Sequence, residues 1–421
     1  MQHSAFLIAF FITIIRYYDY ALFGLSASIL AKNFLPPLEH DVQILGFFAI
    51  LGGSVVARPI GSLIFGFIGD KYGRTKSVKI SVIVATISTS LIAITPSFAQ
   101  IGNFAVIILI FCRMVFLMSL AGEVDAIKIY VAEKAGSNRK NLTNGLVVSC
   151  SQVGALLAAI MYYYASNFNA SEYLWRLNFL VGGIFGMLAI LMRKFFKESE
   201  EFLYYRKKHP NKDDNGLWQI LQNIKLKFII AMLINGSIGG VYHFLVIFLG
   251  VFLSKIACTI EHNQAQTMNI ILIITYAIAA IFSGLLADKI NPLKQIIVSL
   301  TLSLGTALIM QILLYNQIFI IYCPVILIGL AAFYAVPLQI IIQSLFITTS
   351  KVRMYSLSHS LGGIILSSAT PFFSMLLWQN FKSLPITLCF FISLLIILIA
   401  SVILLRKVLV KNGYYKYGVI P

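Results

Sequence analysis

Long apolar runs separated by short polar connections occupy almost the whole of this 421-residue chain. Twelve of the runs reach roughly the 17–25 residues that a helix needs to cross a bilayer. Each run is predicted to be an α-helix, because backbone groups in lipid must be hydrogen-bonded within the segment. The predicted spans are residues 5–34, 43–68, 79–96, 102–132, 143–166, 174–196, 226–254, 266–287, 294–314, 317–347, 355–379 and 384–408.

One polar connection, at residues 197–225, is the longest and divides the spans into six and six. The pattern therefore predicts an all-α polytopic membrane protein with twelve transmembrane helices in two six-helix bundles. The predicted domains are an N-terminal bundle at residues 1–196, a cytoplasmic linker at 197–225, and a C-terminal bundle with a short cytoplasmic tail at 226–421.

The composition excludes a soluble domain, because 59% of the residues are hydrophobic and only 11% are charged, against about 25% charged in soluble proteins. The formal net charge of +17 arises in alternate connections between the spans. By the positive-inside rule, this asymmetry places both termini in the cytoplasm. It predicts a bacterial-type cytoplasmic (inner) membrane protein and no nucleic-acid partner. The basic clusters lie at residues 71–79, 134–140, 193–227, 289–294, 351–353 and 406–416.

The cysteines have no paired spacing and lie mostly in or beside apolar runs, so they are interpreted as packing residues rather than a disulfide or metal framework. They are Cys112, Cys150, Cys258, Cys323 and Cys389. The first residues contain neither a basic region nor a small-residue cleavage site, so no cleaved signal peptide is predicted. No cofactor, metal or enzymatic constellation is predicted, and the six histidines are scattered.

A charged hairpin at residues 58–79 lies between two apolar runs and follows the pattern G-x-x-x-D-x-x-G-R-x-K. Small residues such as Gly66 and Gly73 let membrane helices approach closely. Asp70 can pair with basic side chains or cap a helix N-terminus. An ordinary positively charged loop would explain the basic residues but not the glycine spacing or the aspartate. We expect a gating hinge here, with Glu133 as the partner of Arg74.

The hairpin has a weaker copy in the second half of the chain. The sequence from Gly284 to Lys289 repeats the G-x-x-x-D-K spacing, and Asp288 follows Asp70 by 218 residues, close to half the chain. A six-plus-six arrangement with a weak internal repeat is typical of secondary transporters. Asp288 is therefore a second predicted gating residue.

These features resemble the major facilitator superfamily, and further motifs resemble its metabolite:H⁺ symporter branch, which includes proline/betaine and carboxylate carriers. The motifs are Tyr17-Tyr18-Asp19-Tyr20-Ala21-Leu22-Phe23-Gly24, Ala57-Arg58-Pro59-Ile60-Gly61, Arg113, Ala121-Gly122-Glu123 and Trp175-Arg176. The resemblance implies a twelve-helix transporter for small solutes without a cofactor. Arg16 and Tyr17 depart from the branch's usual Glu and Trp, which leaves the substrate open.

Ionisable residues inside the predicted spans are concentrated in the N-terminal half, and such residues are costly and usually functional. Asp19 lies near mid-membrane, and Arg16 is one turn away and can pair with it. The pair is either proton- or substrate-responsive or an internal salt bridge. In the fourth span, Glu123 points about 160° away from Asp125, which pairs with Lys128. Glu123 is thus predicted to be the freer carboxylate and the main proton-coupling residue, with Asp19 second.

The predicted substrate-binding residues combine cations with polar side chains: Arg113, Arg16, Tyr18, His243 and Gln339. Arginine binds carboxylates well because its guanidinium donates two parallel hydrogen bonds. Arg58 is either a second ligand for an anionic substrate group or, as its closeness to the hairpin favours, an anchor for its helix near a membrane face. A single histidine in an apolar helix is more often a packing residue, and a glutamine can equally link helices.

The sequence thus predicts a proton-coupled symporter of a small polar metabolite, working by alternating access, with protons and the lipid bilayer as its other partners. A zwitterion such as proline or betaine is favoured. The alternatives are a symporter for carboxylates such as α-ketoglutarate or citrate, an uncoupled facilitator, and a membrane sensor that does not transport. Function as a monomer is expected.

Overall fold

The computed structural model describes residues 2–37, 40–167, 174–192, 197–208, 217–256, 261–315 and 322–411. These residues form helices joined by short connections, and no strand occurs among them. The prediction for Cys258 and part of the predicted linker, residues 209–216, lie outside the described residues.

Ten helices precede the gap in the linker region. They are α1 (Gln2–Leu25), α2 (Ala27–Phe34), α3 (His40–Gly53), α4 (Ala57–Tyr72), α5 (Arg74–Ile94), α6 (Phe98–Ile101), α7 (Asn103–Ala135), α8 (Lys140–Asn167), α9 (Leu174–Leu191) and α10 (Glu200–Lys208). Short 3₁₀ turns at Ser54–Val56 and Ser137–Arg139 lead into α4 and α8. The first predicted span is interrupted at Ser26, whose ψ of 13° departs from helical geometry.

Eight helices follow the gap. They are α11 (Leu217–Tyr242), α12 (Leu249–Val251), α13 (His262–Ala287), α14 (Pro292–Tyr315), α15 (Tyr322–Ser344), α16 (Lys351–Gly362), α17 (Thr370–Phe381) and α18 (Leu384–Lys411). Three π-helical segments, at His243–Phe248, Phe252–Ile256 and Gly363–Ser367, continue these helices. Such π-segments occur often at functional positions.

The predicted number of spans is confirmed. Among the described residues, eleven helical stretches are long and apolar enough to cross a membrane, and the shorter apolar helix Trp175–Leu191 is the twelfth. The hairpin at the end of α4 separates two of these stretches, Ala49–Tyr72 and Arg74–Ile94.

The chain forms two compact units that do not follow chain order strictly. The first comprises Met1–Lys134, Cys150–Pro210 and Thr348–Leu357. The second comprises Ala135–Ser149, Asn211–Ile347 and Ser358–Pro421. Each unit thus includes a short segment from the opposite half of the chain. The domain boundary at residues 197–225 stays a prediction.

An aromatic cluster fixes α1 and α2 in the first unit. The ring centroids of Phe23 and Phe47 are 5.1 Å apart, and those of Phe34 and Trp175 are 5.8 Å apart. All four side chains are buried. Close packing of this kind holds membrane helices together, because lipid provides no hydrophobic drive for their association. It holds α1 against α3 and α2 against α9, and α1 contains two of the charged residues described next.

Candidate functional site

Three buried charged residues of the first unit are in contact, with Arg16 between Asp19 and Glu123. Its Nη1 donates to Asp19 Oδ2 at 3.0 Å, and its Nε lies 3.3 Å from Glu123 Oε1. Its Nη2 donates to the Thr86 hydroxyl at 3.0 Å. Arg16 and Glu123 are 0% exposed and Asp19 is 2% exposed. We call Arg16, Asp19 and Glu123 the charge triad.

Glycines of α9 make room for the triad. A side chain at Gly182 would collide with Asp19 Oδ1, and one at Gly186 would collide with the Thr86 hydroxyl. The helix α9 can therefore lie against α1 and α5 only because these positions have no Cβ. The two glycines thus let α9 pack closely around the buried charges of α1.

The predicted Arg16–Asp19 pair is present, but the expectation that Glu123 is the freer carboxylate is wrong. The Arg16 side chain extends from α1 to α7, so one guanidinium serves both acids. The neighbouring Ser81 hydroxyl donates to the carbonyl of Val78 at 3.0 Å. Neither oxygen of Glu123 accepts a hydrogen bond from the described residues. Two carboxyls facing one permanent cation leave one negative charge in excess unless a proton is held there.

The other predicted N-terminal binding residues lie apart from the triad's contacts. The guanidinium of Arg113 lies over the ring of Phe23 at 4.2 Å and over the ring of Tyr20 at 5.2 Å. These are cation–π contacts. The Tyr18 hydroxyl donates to the carbonyl of Asn178 at 3.0 Å, so it joins α1 to α9. Arg58 lies 14 residues before the end of α4, about 21 Å along the helix. Its position near a membrane face stays a prediction.

His243 and Gln339 belong to the second unit. His243 Nδ1 lies 2.8 Å from the carbonyl oxygen of Gly239 and 2.6 Å from the Ser367 hydroxyl. These contacts join two of the π-helical segments, because His243 opens one and Ser367 closes another. Gln339 accepts a hydrogen bond from Asn144 Nδ2 at 3.1 Å. Both residues have the packing contacts that were weighed against a binding role, and their binding role stays a prediction.

Asp70, in the charged hairpin, caps the N-terminus of α16. Its Oδ1 accepts the backbone N–H of Val352, and its Oδ2 accepts that of Arg353, both at 2.9 Å. A carboxylate at this position satisfies two amides that would otherwise have no helical partner. Its negative charge also suits the positive end of the helix. The capping role considered for Asp70 is thus confirmed, with a helix 282 residues later in the chain.

Asp288 has the same geometry in the second unit. Its Oδ1 accepts the backbone N–H of Asn141 at 3.0 Å, and its Oδ2 accepts that of Leu142 at 2.9 Å. The Asn141 side-chain amide adds a third contact at 2.9 Å. Asp288 therefore caps the start of α8 as Asp70 caps the start of α16. This equivalence supports the internal repeat inferred from the sequence.

Arg74 joins the hairpin to α7. Its Nη2 lies 3.2 Å from Glu133 Oε1, which confirms the predicted partner, and donates to the carbonyl of Thr348 at 3.0 Å. Its Nη1 lies 3.6 Å from Asp70. Glu133 also pairs with Lys351 at 3.3 Å. Arg74 is 0% exposed although it follows a turn, so the cluster is a built feature rather than a solvated loop.

Two glycines fit the hairpin as predicted. A side chain at Gly66 would collide with the backbone of Arg353, so its absence permits the close approach of α4 and α16. Gly73 has a φ of 110°, in a region that other residues rarely adopt. It terminates α4 and turns the chain into α5.

The sequence reasoning missed the role of the segment before α10. Glu198 Oε2 accepts the backbone N–H of Thr75 at 3.1 Å and its hydroxyl at 2.9 Å, so it caps the first turn of α5. Ser199 donates to Glu133 at 2.7 Å. The sequence signal for this role was the run of acidic residues after the sixth span, since acids suit a strongly basic hairpin. Among the described residues, no group of three or more His, Cys, Asp or Glu side chains could hold a metal ion.

Comparisons with known proteins agree with this fold. A family model described as Major Facilitator Superfamily matches residues 9–346. A Staphylococcus aureus protein named "Putative proline/betaine transporter" is 24% identical over 363 residues, which cover 85% of this chain and 78% of that protein. A Salmonella typhimurium "Proline/betaine transporter" is 31% identical over 206 residues, which cover 48% of this chain and 41% of that protein.

Solved structures show the same architecture. That of the proton:xylose symporter XylE superposes with a TM-score of 0.78 at 16% identity, over 96% of this chain and 95% of that one. The resemblance inferred from the sequence is confirmed by these matches. With twelve spanning helices and a match over most of its length, the chain belongs to the Major Facilitator Superfamily of transporters and is not an enzyme.

Proposed function

We propose that this transporter is a proton-coupled symporter of a small polar metabolite. The charge triad supports the proposal, because its two carboxyls share one arginine in a fully buried place. A proton that binds there removes the excess negative charge, and its release restores it. The two charge states give the protein a physical means of linking proton movement to a change in helix packing.

The cargo favoured by the relatives' names is a zwitterion such as proline or betaine. The alternatives are a carboxylate symporter and an uncoupled facilitator. A non-transporting sensor is the least favoured. We place the hairpin after α4 in the cytoplasm, and we propose that the protein works as a monomer.

Alternating access would use the two capping carboxylates, Asp70 and Asp288. Each satisfies two amides at the start of a helix that lies far away in the chain. In the proposal these hydrogen bonds form in one state of the transport cycle and break in another. Because such bonds are individually modest, a small bias from cargo or proton binding can shift the equilibrium.

The test is uptake of radiolabelled proline, glycine betaine and α-ketoglutarate into proteoliposomes, with and without an imposed pH gradient. Wild-type protein is expected to accumulate one of these solutes only with the gradient. Glu123→Gln cannot exchange a proton, so it is expected to lose gradient-driven accumulation but retain exchange of solute across the membrane. The matched control is Glu261→Gln, at an exposed position before α13, which should behave as wild type.

The outcomes separate the alternatives. Accumulation by Glu123→Gln at the wild-type level would contradict the role of the triad. Uptake that never exceeds equilibration, with or without the gradient, would indicate a facilitator. No uptake of any solute by folded wild-type protein would refute symport and favour the sensor.

A further inference from the structure

Two π-helical segments meet in the second unit. One, His243–Phe248, continues α11, and the other, Gly363–Ser367, continues α16. A side chain at Gly236 would collide with the carbonyl oxygen of Gly362, so the two helices approach to backbone contact. Segments of this kind are rare and occur often at functional positions. A pair of them in direct contact is therefore a feature that a transport cycle can use.

Side chains bond to backbone carbonyls at both segments. The carbonyl oxygen of Gly239, four residues before His243, lies 2.8 Å from the ring nitrogen Nδ1 of that histidine. The carbonyl oxygen of Leu366 accepts the Thr370 hydroxyl at 2.7 Å. Side chains that insert into the helical hydrogen bonds, and π-segments themselves, are usual causes of helix bending. Each of the two helices thus has a bending point at its π-segment.

A shared hydrogen bond of His243 links the two bending points. Its Nδ1 also lies 2.6 Å from the Ser367 hydroxyl. A carbonyl oxygen only accepts hydrogen bonds, so a bare Nδ1 would set two lone pairs against each other at Gly239. These partners assign the ring hydrogen to Nδ1, which donates to both oxygens. The hydroxyl fits there because a side chain at Gly239 would collide with it.

Beyond the π-segments, aromatic rings join the two helices again. The rings of Phe252 and Trp378, on α17, meet edge to face with their centroids 5.0 Å apart. Phe248 stacks on Phe252 at 4.9 Å, and both phenylalanines are buried. The parts of the two helices beyond the bending points are thus linked to each other. We call residues 249–256 and 370–381 the distal pair.

We infer that the two π-segments form a paired hinge within the second unit, on which the distal pair swings as one body, and that the His243–Ser367 hydrogen bond holds the hinge in its present position. The helix α17 has 12 residues, so it is about 18 Å long, and a swing of about 10° moves its far end by about 3 Å. A hinge with such a lock has two discrete positions, as alternating access requires.

His243 is thereby a positioning residue for transport, which is a different role from the cargo binding predicted from the sequence. The inference goes beyond the proposed proton coupling and does not depend on it. The hinge lies within one unit, and the shared hydrogen bond needs neither a charge nor a bound solute.

The distance between two spin labels tests the hinge in the purified full chain, without cargo or gradient. The labels replace Phe381, at the far end of α17, and Leu302, on α14, which are both exposed, in a variant without other cysteines. Ser367→Ala removes an acceptor of His243. It should raise the population at a second distance, relative to the first, about two- to tenfold, as loss of one hydrogen bond does. The matched control is Ser401→Ala, which removes a buried hydroxyl that donates within α18 and should change nothing.

Variants of the histidine separate a hinge lock from a cargo ligand. His243→Phe should shift the distances as Ser367→Ala does. His243→Asn, whose side-chain amide donates from nearly the position of Nδ1, should stay close to the wild type. In proteoliposomes, with whichever of proline, glycine betaine and α-ketoglutarate the wild type takes up, His243→Phe should change the maximal rate about two- to tenfold and leave KM within about twofold.

Unchanged melting temperatures would show that the variants are folded, and Ser367→Ala covers the case in which His243→Phe is not. The inference is overturned if Ser367→Ala has the wild-type distances, if Ser401→Ala shifts them equally, or if His243→Asn shifts them as much as His243→Phe. A raised KM with an unchanged maximal rate would also overturn it, by assigning His243 to the cargo. Uptake by the wild type that ignores the pH gradient, with the distances shifted as expected, would instead refute the proposed symport alone.

Discussion

Removal of the Asp70 carboxylate should release the start of α16. In Asp70→Ala, the amides of Val352 and Arg353 lose the oxygens that accept them at 2.9 Å. Loss of a helix cap typically costs 0.5–2 kcal/mol, and hydrogen bonds to charged groups contribute about 1.5–3 kcal/mol each. Water can satisfy the amides once the helix end opens, so we take about 2–4 kcal/mol as the net loss for the pair.

Hydrogen–deuterium exchange measures this quantity directly, because amide exchange reports the free energy of local opening. At 1.4 kcal/mol for each factor of ten, exchange of these two amides should accelerate about 30- to 700-fold. The Asp70→Asn variant keeps one acceptor oxygen, so its acceleration should be intermediate.

The equivalent cap provides an internal control. Asp288→Ala should accelerate exchange at Asn141 and Leu142, which donate to it at 3.0 and 2.9 Å. It should leave the amides at the start of α16 unchanged, and Asp70→Ala should leave those at the start of α8 unchanged. Unaltered exchange at Val352 and Arg353 in folded Asp70→Ala would refute the reasoning.

Two further variants test the surroundings of the site. Gly182→Ala should sharply reduce solute uptake in proteoliposomes, because its methyl group would collide with the Asp19 carboxylate and overpacking typically costs 1–3 kcal/mol. Gly305→Ala, where a side chain meets nothing within 4 Å, should transport normally. Equal activity of the two variants would contradict the packing argument. Lys351→Gln should accelerate amide hydrogen exchange at the start of α16 less than about fivefold, because a partly exposed ion pair contributes up to about 1 kcal/mol. Glu133 also keeps Arg74 as its other cationic partner. A larger effect would show that the Lys351–Glu133 pair contributes most of the stability of the hairpin.

The contacts that the sequence predicted correctly are those between neighbours in the chain or within one recognisable motif. Arg16 and Asp19 are three residues apart, so the helical period alone brings them together. Arg74 and Glu133 each belong to a segment that resembles the family, the hairpin and the end of the fourth span, and the structure pairs them at 3.2 Å. The number of spans followed from the length of the apolar runs, since bilayer thickness fixes it.

The contacts that the sequence did not predict depend on which helices pack together. The helical period separates Glu123 from Asp125 correctly, but it cannot show that α1 places Arg16 opposite Glu123. The sequence also did not predict the partners of Asp288, because its two amide donors lie on another helix about 147 residues away in the chain.

The two helix caps are equivalent in space but not in time. Asp70 is made 282 residues before Val352, the first of its donors. Because protein synthesis adds about 5–20 residues per second, roughly 14 to 56 seconds pass between the synthesis of Asp70 and that of Val352. The amides that Asp288 caps already exist when Asp288 emerges. The cap that Asp288 makes on α8 can therefore form as soon as Asp288 is synthesised, whereas the cap that Asp70 makes on α16 can form only after most of the chain has been made.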